Sequence, residues 1–417
     1  ETTYPLTNGL SHKKIKTAVS HSISAVPNFA EWINTDLLKK YNWFNFNQSL
    51  YNLHFPKTKK DIENKDLYKE RLAFDEALSR QLALSLIRKH KHKTVQSRLK
   101  NINKLKYKLI KNLPFYLTED QQKVLENIYS DINSDKRMYR LLQGDVGSGK
   151  TIVALISSLN VIYSGFQVCL MAPTEILANQ HFNLAKKLFN KNINIKLLTS
   201  KTERIEKKGI LNDLINNNIN MLVGTHSLFQ EKIKYKNLGL IIIDEQHKFG
   251  VRQRKKLSDK GGKNCDILVM SATPIPRTMI MTVFGDMDIS IIRSKPQNRK
   301  EIKTYSKLET KTHEVIDFIK KQIKFKNQVF WVCPLIKDSQ ILDYSSVTKR
   351  FQWLKKKFPS ETSILHGELK QDEKDSILEK FLLKKTKILV STTVIEVGID
   401  FPDANLIVIE NANKFGL

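Results

Sequence analysis

M-Y-R-L-L-Q-G-D-V-G-S-G-K-T-I-V-A-L-I, residues 138–156, decides the fold. Its first six residues are an apolar run of strand length, and a helix-like apolar stretch, Ile152–Tyr163, follows the central loop. Between them Gly144–Thr151 satisfies G-x-x-x-x-G-K-[ST]. Gly144, Gly147 and Gly149 let the backbone curl, so that N–H groups of the loop, among them those of Asp145, Val146 and Ser148, can point at phosphate oxygens. The helix N-terminus that follows adds a partial positive charge. Lys150 is placed to neutralise the β- and γ-phosphates, and Thr151 to offer its hydroxyl to Mg²⁺. Strand, glycine loop and helix in this order predict a phosphate site on a parallel α/β sheet.

Further along the chain the apolar run L-G-L-I-I-I empties into D-E-Q-H at Asp244–His247. A strand that ends in two acids delivers them to the C-terminal edge of a sheet, where ligands of open α/β sheets bind. There Asp244 can hold Mg²⁺ through its water shell, and Glu245 can orient and deprotonate an attacking water. Short apolar runs recur on both sides: Met138–Gln143, Gln167–Ala172, Ile195–Leu198, Met221–Val223, Leu238–Ile243 and Ile267–Met270. Several are continuous instead of alternating, as expected of strands buried on both faces. A stretch around Arg293–Lys303 reads as a linker. A second set then starts with Gln328–Cys333, Thr362–Leu365, Lys387–Ser391 and Leu406–Ile409. Two parallel α/β domains in tandem are the simplest organisation.

The N-terminal part differs. Residues 1–57 read as short amphipathic pieces broken by prolines, and a long helix is predicted from about Lys59. Its recurring Phe74, Leu78, Leu82 and Leu86 are expected to form a packed face. Ten Lys or Arg and no acid lie from Arg88 to Lys111, which suits either a surface facing a nucleic-acid backbone or a solvated helix face. The net charge of +28 favours a polyanionic partner, although a lysine-rich composition with a merely solvated surface accounts for the same number. With 417 residues, 41% hydrophobic and 27% charged, the composition is that of a globular, multi-domain protein. No apolar run approaches the roughly 18 residues of a membrane span, and there is no signal-peptide pattern. Cys169, Cys265 and Cys333 are widely spaced and read as small buried residues, which excludes a disulfide framework or zinc site. The absence of L-S-G-G-Q argues against a transport ATPase.

D-E-Q-H together with S-A-T at Ser271–Thr273 resembles superfamily 2 helicases, and other segments extend the likeness. Phe115, Thr118 and Gln121 in F-Y-L-T-E-D-Q resemble the adenine-reading Q motif, which implies ATP. A-P-T-E-I-L-A-N-Q-H (Ala172–His181), L-T-S-K-T (Leu198–Thr202) and V-G-T-H-S-L-F (Val223–Phe229) resemble the strand-contacting motifs of the first domain. That implies DNA contacts at Pro173, Thr174, Thr199, Ser200, Thr225 and His226. By the same likeness Gln246 and His247 join the hydrolytic residues, and Ser271, Ala272 and Thr273 couple ATP state to domain closure. In the second domain L-H-G-E-L (Leu365–Leu369) and S-T-T-V-I-E-V-G-I-D (Ser391–Asp400) resemble later motifs. They imply DNA contacts at His366, Gly367, Thr392, Thr393 and Glu396, and nucleotide contacts at Gly398 and Asp400.

Y-P-L-T-N-G-L, H-F-P-K-T, R-L-A-F-D-E, Q-G-D-V-G-S-G-K-T, D-E-Q-H-K-F-G-V and S-A-T-P-I-P-R-T together resemble the bacterial RecG branch-migration helicases over nearly the whole chain. The transcription-repair coupling factor Mfd shares some of these runs. It typically carries D-E-E in place of D-E-Q, however, and lacks R-L-A-F-D-E. The resemblance implies an α/β fold of two tandem RecA-like P-loop domains, the second incomplete, preceded by a helical N-terminal segment. The expected divisions are 1–110, 111–295 and 296–417. It further implies ATP and Mg²⁺, a monomer that drives branched double-stranded DNA at stalled forks and Holliday junctions, and a bacterial cytoplasmic, nucleoid-associated location. The family's wedge domain would precede Tyr4 and its arginine-rich motif VI would follow Leu417. The chain is therefore expected to be a piece that binds ATP but hydrolyses it poorly by itself.

Overall fold

The computed structural model describes residues 2–6, 9–90, 110, 113–189, 192–230, 232–245, 265–273, 287–294, 302–334, 340–392, 401 and 403–414. By its internal contacts the chain divides into two units, residues 1–91 with 275–286 and residues 92–274 with 287–417.

The first unit is helical: α1 (His12–Ser24), α2 (Thr35–Tyr41), α3 (Phe46–His54), α4 (Lys59–Glu63) and α5 (Lys65–His90). Thr58 starts α4 with a reciprocal capping box, its hydroxyl accepting from Asp61 N–H while the Asp61 carboxylate accepts from Thr58 N–H. The interior is built on the first half of α5, where Tyr68, Arg71 and Asp75 are buried at helical spacing. Arg71 donates to both Glu31 carboxylate oxygens (3.0 and 2.9 Å) and to the Phe44 carbonyl (3.1 Å), and pairs with Asp75 at 3.1 Å. Trp32 Nε1 closes the group on Asp75 at 2.9 Å. The packed face predicted along Phe74, Leu78, Leu82 and Leu86 is corrected here. Leu82 and Leu86 are more than half exposed, whereas Phe74 packs against Trp43 and Asp75 accepts from Trp32 in the first half of the helix. The basic run lies largely outside the described residues.

The second unit carries two parallel sheets. α6 (Glu119–Asn133) precedes β1 (Tyr139–Gly144), and α7 (Lys150–Tyr163), β2 (Gln167–Met171), α8 (Glu175–Leu188), β3 (Ile195–Leu198), α9 (Arg204–Ile215), β4 (Met221–Gly224), β5 (Leu238–Ile243), β6 (Asp266–Ser271) and β7 (Asp288–Ile292) follow. The strand order is β3-β4-β2-β5-β6-β1-β7, parallel throughout. Every residue of β2, β4, β5 and β6 is buried, as their continuous apolar runs require, whereas the edge strands β3 and β7 are partly exposed.

β7 was not among the expected strands: D-I-S-I-I is short and interrupted by polar residues. Its docking depends on a distant arginine. Arg140, buried in β1, donates to Ser290 of β7 (2.8 Å) and to Asp131 of α6 (2.6 Å).

The second sheet contains β8 (Gln328–Val332), β9 (Thr362–Leu365), β10 (Ile388–Ser391) and β11 (Ala404–Ile409) in the order β11-β8-β10-β9, again parallel. α10 (Thr312–Lys324), α11 (Gln340–Lys357) and α12 (Gln371–Leu382) accompany it. Phe381 of α12 is wholly buried and packs its ring against Phe330 and Phe401 at 5.2 and 5.5 Å, so it holds the core together. All three cysteines are buried and unlinked.

Candidate active site

Strand order brings the chemistry together. β6 lies between β1 and β5, so the residues leaving these three strands share one edge: Gly144 from β1, Ser271 from β6 and Asp244 from β5. Gly147 and Gly149 have φ of +76° and +86°, the left-handed region where a side chain is strained. Gly149 is also the N-cap of α7, and a Cβ there would overlap the amide nitrogen of Gln121. Asp145, Val146 and Gly147 form the exposed crest of the loop, and Thr151 lies half-buried beyond it. Ser148 is buried, with no partner for its hydroxyl among the described residues.

Lys150 is buried and its ammonium donates to the carbonyls of Gly144 (2.7 Å) and Asp145 (3.0 Å). Burial pulls its pKa below the ordinary lysine value, while Asp244, Glu245 and Asp145 pull it partly back. Asp244 and Glu245 are buried as well. Asp244 Oδ1 accepts from the Glu245 N–H at 3.0 Å, and Oδ2 lies 2.7 Å from His181 Nε2. Glu245 has φ +47°, an uncommon conformation for a residue with a Cβ, and Oε2 accepts from Ala272 N–H at 3.4 Å. Ser271 and Thr273 join hydroxyls at 2.9 Å, and the Thr273 carbonyl accepts from Gln143 of β1 at 3.1 Å. The S-A-T segment thus touches both the strand that feeds the phosphate loop and the acid that would position water.

Gln121 braces the phosphate loop from α6. Thr118 and Gln121 form a capping box at the start of α6, and Gln121 Nε2 donates to the Ser148 carbonyl at 2.8 Å. Thr118 also accepts from Ser294 Oγ at 2.7 Å, and Asp120 accepts from the N–H groups of Arg293 and Ser294 at 2.9 and 2.8 Å. These backbone hydrogen bonds hold the Asp120 carboxyl below its usual pKa. Phe115 is exposed beside this segment. The residue set suits a nucleoside triphosphate and Mg²⁺: an exposed glycine-containing loop crest, one lysine, one threonine hydroxyl and two buried carboxylates.

The other half of the same edge carries the loops after β2, β4 and β3. Thr174 caps α8, its hydroxyl accepting from Leu177 N–H at 3.4 Å, and Pro173 precedes it half-buried. Glu175 accepts from Ser200 N–H (3.1 Å) and Ser200 Oγ (2.5 Å) and pairs with Lys201 at 3.3 Å, which ties the loop after β2 to the loop after β3. Thr199 and Thr225 are buried, and the latter opens the 3-10 turn His226–Phe229. On the second sheet His366 and Thr392 leave the neighbouring strands β9 and β10, both buried, and Gly367 is exposed. Burial lowers the His366 pKa. Gln246, His247, Thr393, Glu396, Gly398 and Asp400 lie outside the described residues. In the sequence His181 is only the end of a run that resembles a strand-contacting motif. Its spacing to Asp244 offers no local signal, since the two residues are 63 positions apart and meet only because β2 and β5 are neighbours.

A phosphate loop, a D-E pair and an S-A-T segment on adjacent strand ends, with a second parallel sheet behind them in sequence, define a superfamily 2 helicase fold of two RecA-like domains. The DEAD/DEAH box helicase family matches residues 118–282, and the helicase conserved C-terminal domain matches residues 310–415. The ATP-dependent DNA helicase RecG of Thermotoga maritima is 43% identical over 99% of this chain and 53% of its own length, and that of Streptococcus pneumoniae is 40% identical over 99% and 62%. The solved structure of RecG bound to a three-way DNA junction superposes with a TM-score of 0.74 at 38% identity, covering 97% of this chain and 53% of that one. The chain belongs to the RecG family, and it spans between half and two thirds of the length of these relatives. Among the described residues no helix is long and apolar enough to cross a membrane.

Proposed function

We propose that this chain is the ATP-driven motor of a double-stranded-DNA translocase that works on branched DNA, at stalled forks and Holliday junctions, in recombination and repair. One observation carries the reading: Lys150, Asp244, Glu245 and the S-A-T segment stand at the ends of three adjacent strands. In the proposed reaction water attacks the γ-phosphorus of ATP and gives its proton to Glu245, while the bond to the bridging oxygen breaks to leave ADP and phosphate. Lys150 turns from its two carbonyls to the β- and γ-phosphates. Thr151 and Asp244 would hold Mg²⁺, which would spread the negative charge of the phosphates. Gly398 and Asp400 would approach the nucleotide from the second domain, and Thr393 and Glu396 the DNA. Gln246 and His247 would complete the hydrolytic set.

DNA is gripped by the other half of the edge, at the loops of Thr174, Thr199–Lys201 and Thr225, with Gly367, His366 and Thr392 from the second sheet. Contacts of this kind position a strand without reading its sequence. The three divisions 1–110, 111–295 and 296–417, and action as a monomer, belong to the same proposal. The solved RecG complex with a three-way junction supports branched DNA as the partner. The test is hydrolysis by the full-length protein with forked and linear duplexes. Forks should stimulate turnover more than linear DNA, and Lys150→Ala or Glu245→Gln should abolish it. Normal turnover in either variant would remove the site assignment.

A further inference from the structure

The edge of the first sheet has two halves. The DNA-facing loops follow β2, β3 and β4, and the nucleotide residues follow β1, β5 and β6. β2 and β5 are neighbours, so the helix that leaves β2 starts next to the exit of β5 before it packs over β3 and β4. That helix is α8. Its cap, Thr174, and its first residue, Glu175, build the loop tied to Ser200 and Lys201. Two turns on, about 10 Å along the axis at 1.5 Å per residue, His181 stands with its ring buried and Nε2 2.7 Å from Asp244 Oδ2. This contact joins residues 63 positions apart in sequence.

The chemistry of the pair is specific. Asp244 is nearly inaccessible to solvent, so its carboxylate cannot be oriented by bulk water. Its two oxygens are instead fixed by different donors, Oδ1 by the Glu245 N–H and Oδ2 by the imidazole. An N–H donor on each oxygen restricts the plane of the carboxylate and leaves each oxygen a further lone pair, and Lys150 lies close enough to feel its charge. Donors of this type behind a metal-binding carboxylate orient it and tune its basicity.

We infer that His181 is a positioning residue: it aims the Asp244 carboxylate at Mg²⁺-bound nucleotide and fastens that carboxylate to the helix that carries the DNA-facing loop. The inference rests on the proposed metal role of Asp244. It predicts that losing the imidazole N–H weakens the Mg²⁺ dependence of nucleotide binding without unfolding the sheet.

The experiment titrates Mg²⁺ against binding of a fluorescent N-methylanthraniloyl ATP to the intact chain, with thermal melts alongside. His181→Met fills the space without a donor, His181→Gln restores an N–H close to the position of Nε2, and Asp244→Asn is the reference. The Mg²⁺ midpoint of His181→Met should rise about tenfold, that of His181→Gln should return to within about threefold of the parent, and Mg²⁺-free binding should stay unchanged. A His181→Met midpoint equal to the parent's, whether or not the melting temperature falls, overturns the positioning role and leaves a purely structural contact. If Asp244→Asn also leaves the midpoint unmoved, the metal role of Asp244 falls with it.

Discussion

Two buried charged clusters in this molecule look alike in composition and behave as opposites. In the helical unit Arg71 is enclosed by Glu31, Asp75, the Phe44 carbonyl and Trp32, so each charge faces a group of opposite character. In the nucleotide site Lys150 donates to two carbonyl oxygens, Asp244 accepts from the Glu245 N–H and lies against His181, and Glu245 accepts from the Ala272 N–H. A cluster whose charges satisfy one another is closed and serves the fold. One whose charges are held largely by backbone groups and an imidazole can still be bridged by a ligand. The strained backbone of Glu245, at φ +47°, marks the same difference, since the surrounding structure must hold it there.

The comparison can be broken by mutation, most severely at the open cluster. Glu245→Gln should reduce hydrolysis by on the order of 10²–10⁴-fold while nucleotide binding persists; single-turnover kinetics on the full-length protein separate the two. Arg71→Ala should leave two carboxylates without their cation and destabilise the helical unit by about 3–5 kcal/mol, with nucleotide affinity preserved. Denaturant melts and nucleotide titration on the same sample test this, and parallel loss of both would erase the distinction between the clusters. Gly149→Ala sharpens it: strain of about 1–3 kcal/mol and overlap with Gln121 should weaken nucleotide binding more than global stability.

The smallest effect concerns Glu175. Burial raises its pKa, but hydrogen bonds from Ser200 and Lys201 outweigh that and hold it below the ordinary glutamate value. The tie to Ser200 is therefore fully present above the unfolded glutamate pKa and is lost as pH falls through the depressed folded value. Glu175→Gln should cost at most about 1 kcal/mol near neutral pH and flatten the acid limb of the stability curve. An unchanged acid limb would count against the tie.

Much of the fold was legible because its signals are local. All ten expected strands form, Met138–Gln143 and Leu406–Ile409 among them, since continuous apolar runs bounded by turns have few other ways to be buried. β7 was missed because D-I-S-I-I is stabilised by Arg140 reaching from β1, a partner 150 residues away. Leu82 and Leu86 misled because periodicity states which residues share a face and says nothing of whether another element covers it. In the site, Gly144–Thr151 and Asp244–Glu245 announced themselves by residue type and spacing. The Gln121–Ser148 and His181–Asp244 contacts could not, for they join separate segments.

The sequence by itself determined the parallel α/β elements, the phosphate loop and the acids that leave β5, because each is written in consecutive residues whose backbone and side-chain chemistry act over a few ångströms. Only the tertiary structure decided that β6 would lie between β1 and β5, that the sheet edge would divide into two halves, and that α8 would join them through His181. Those outcomes depend on which distant strands pair and which helices cover them, and pairing is a property of the whole packed sheet.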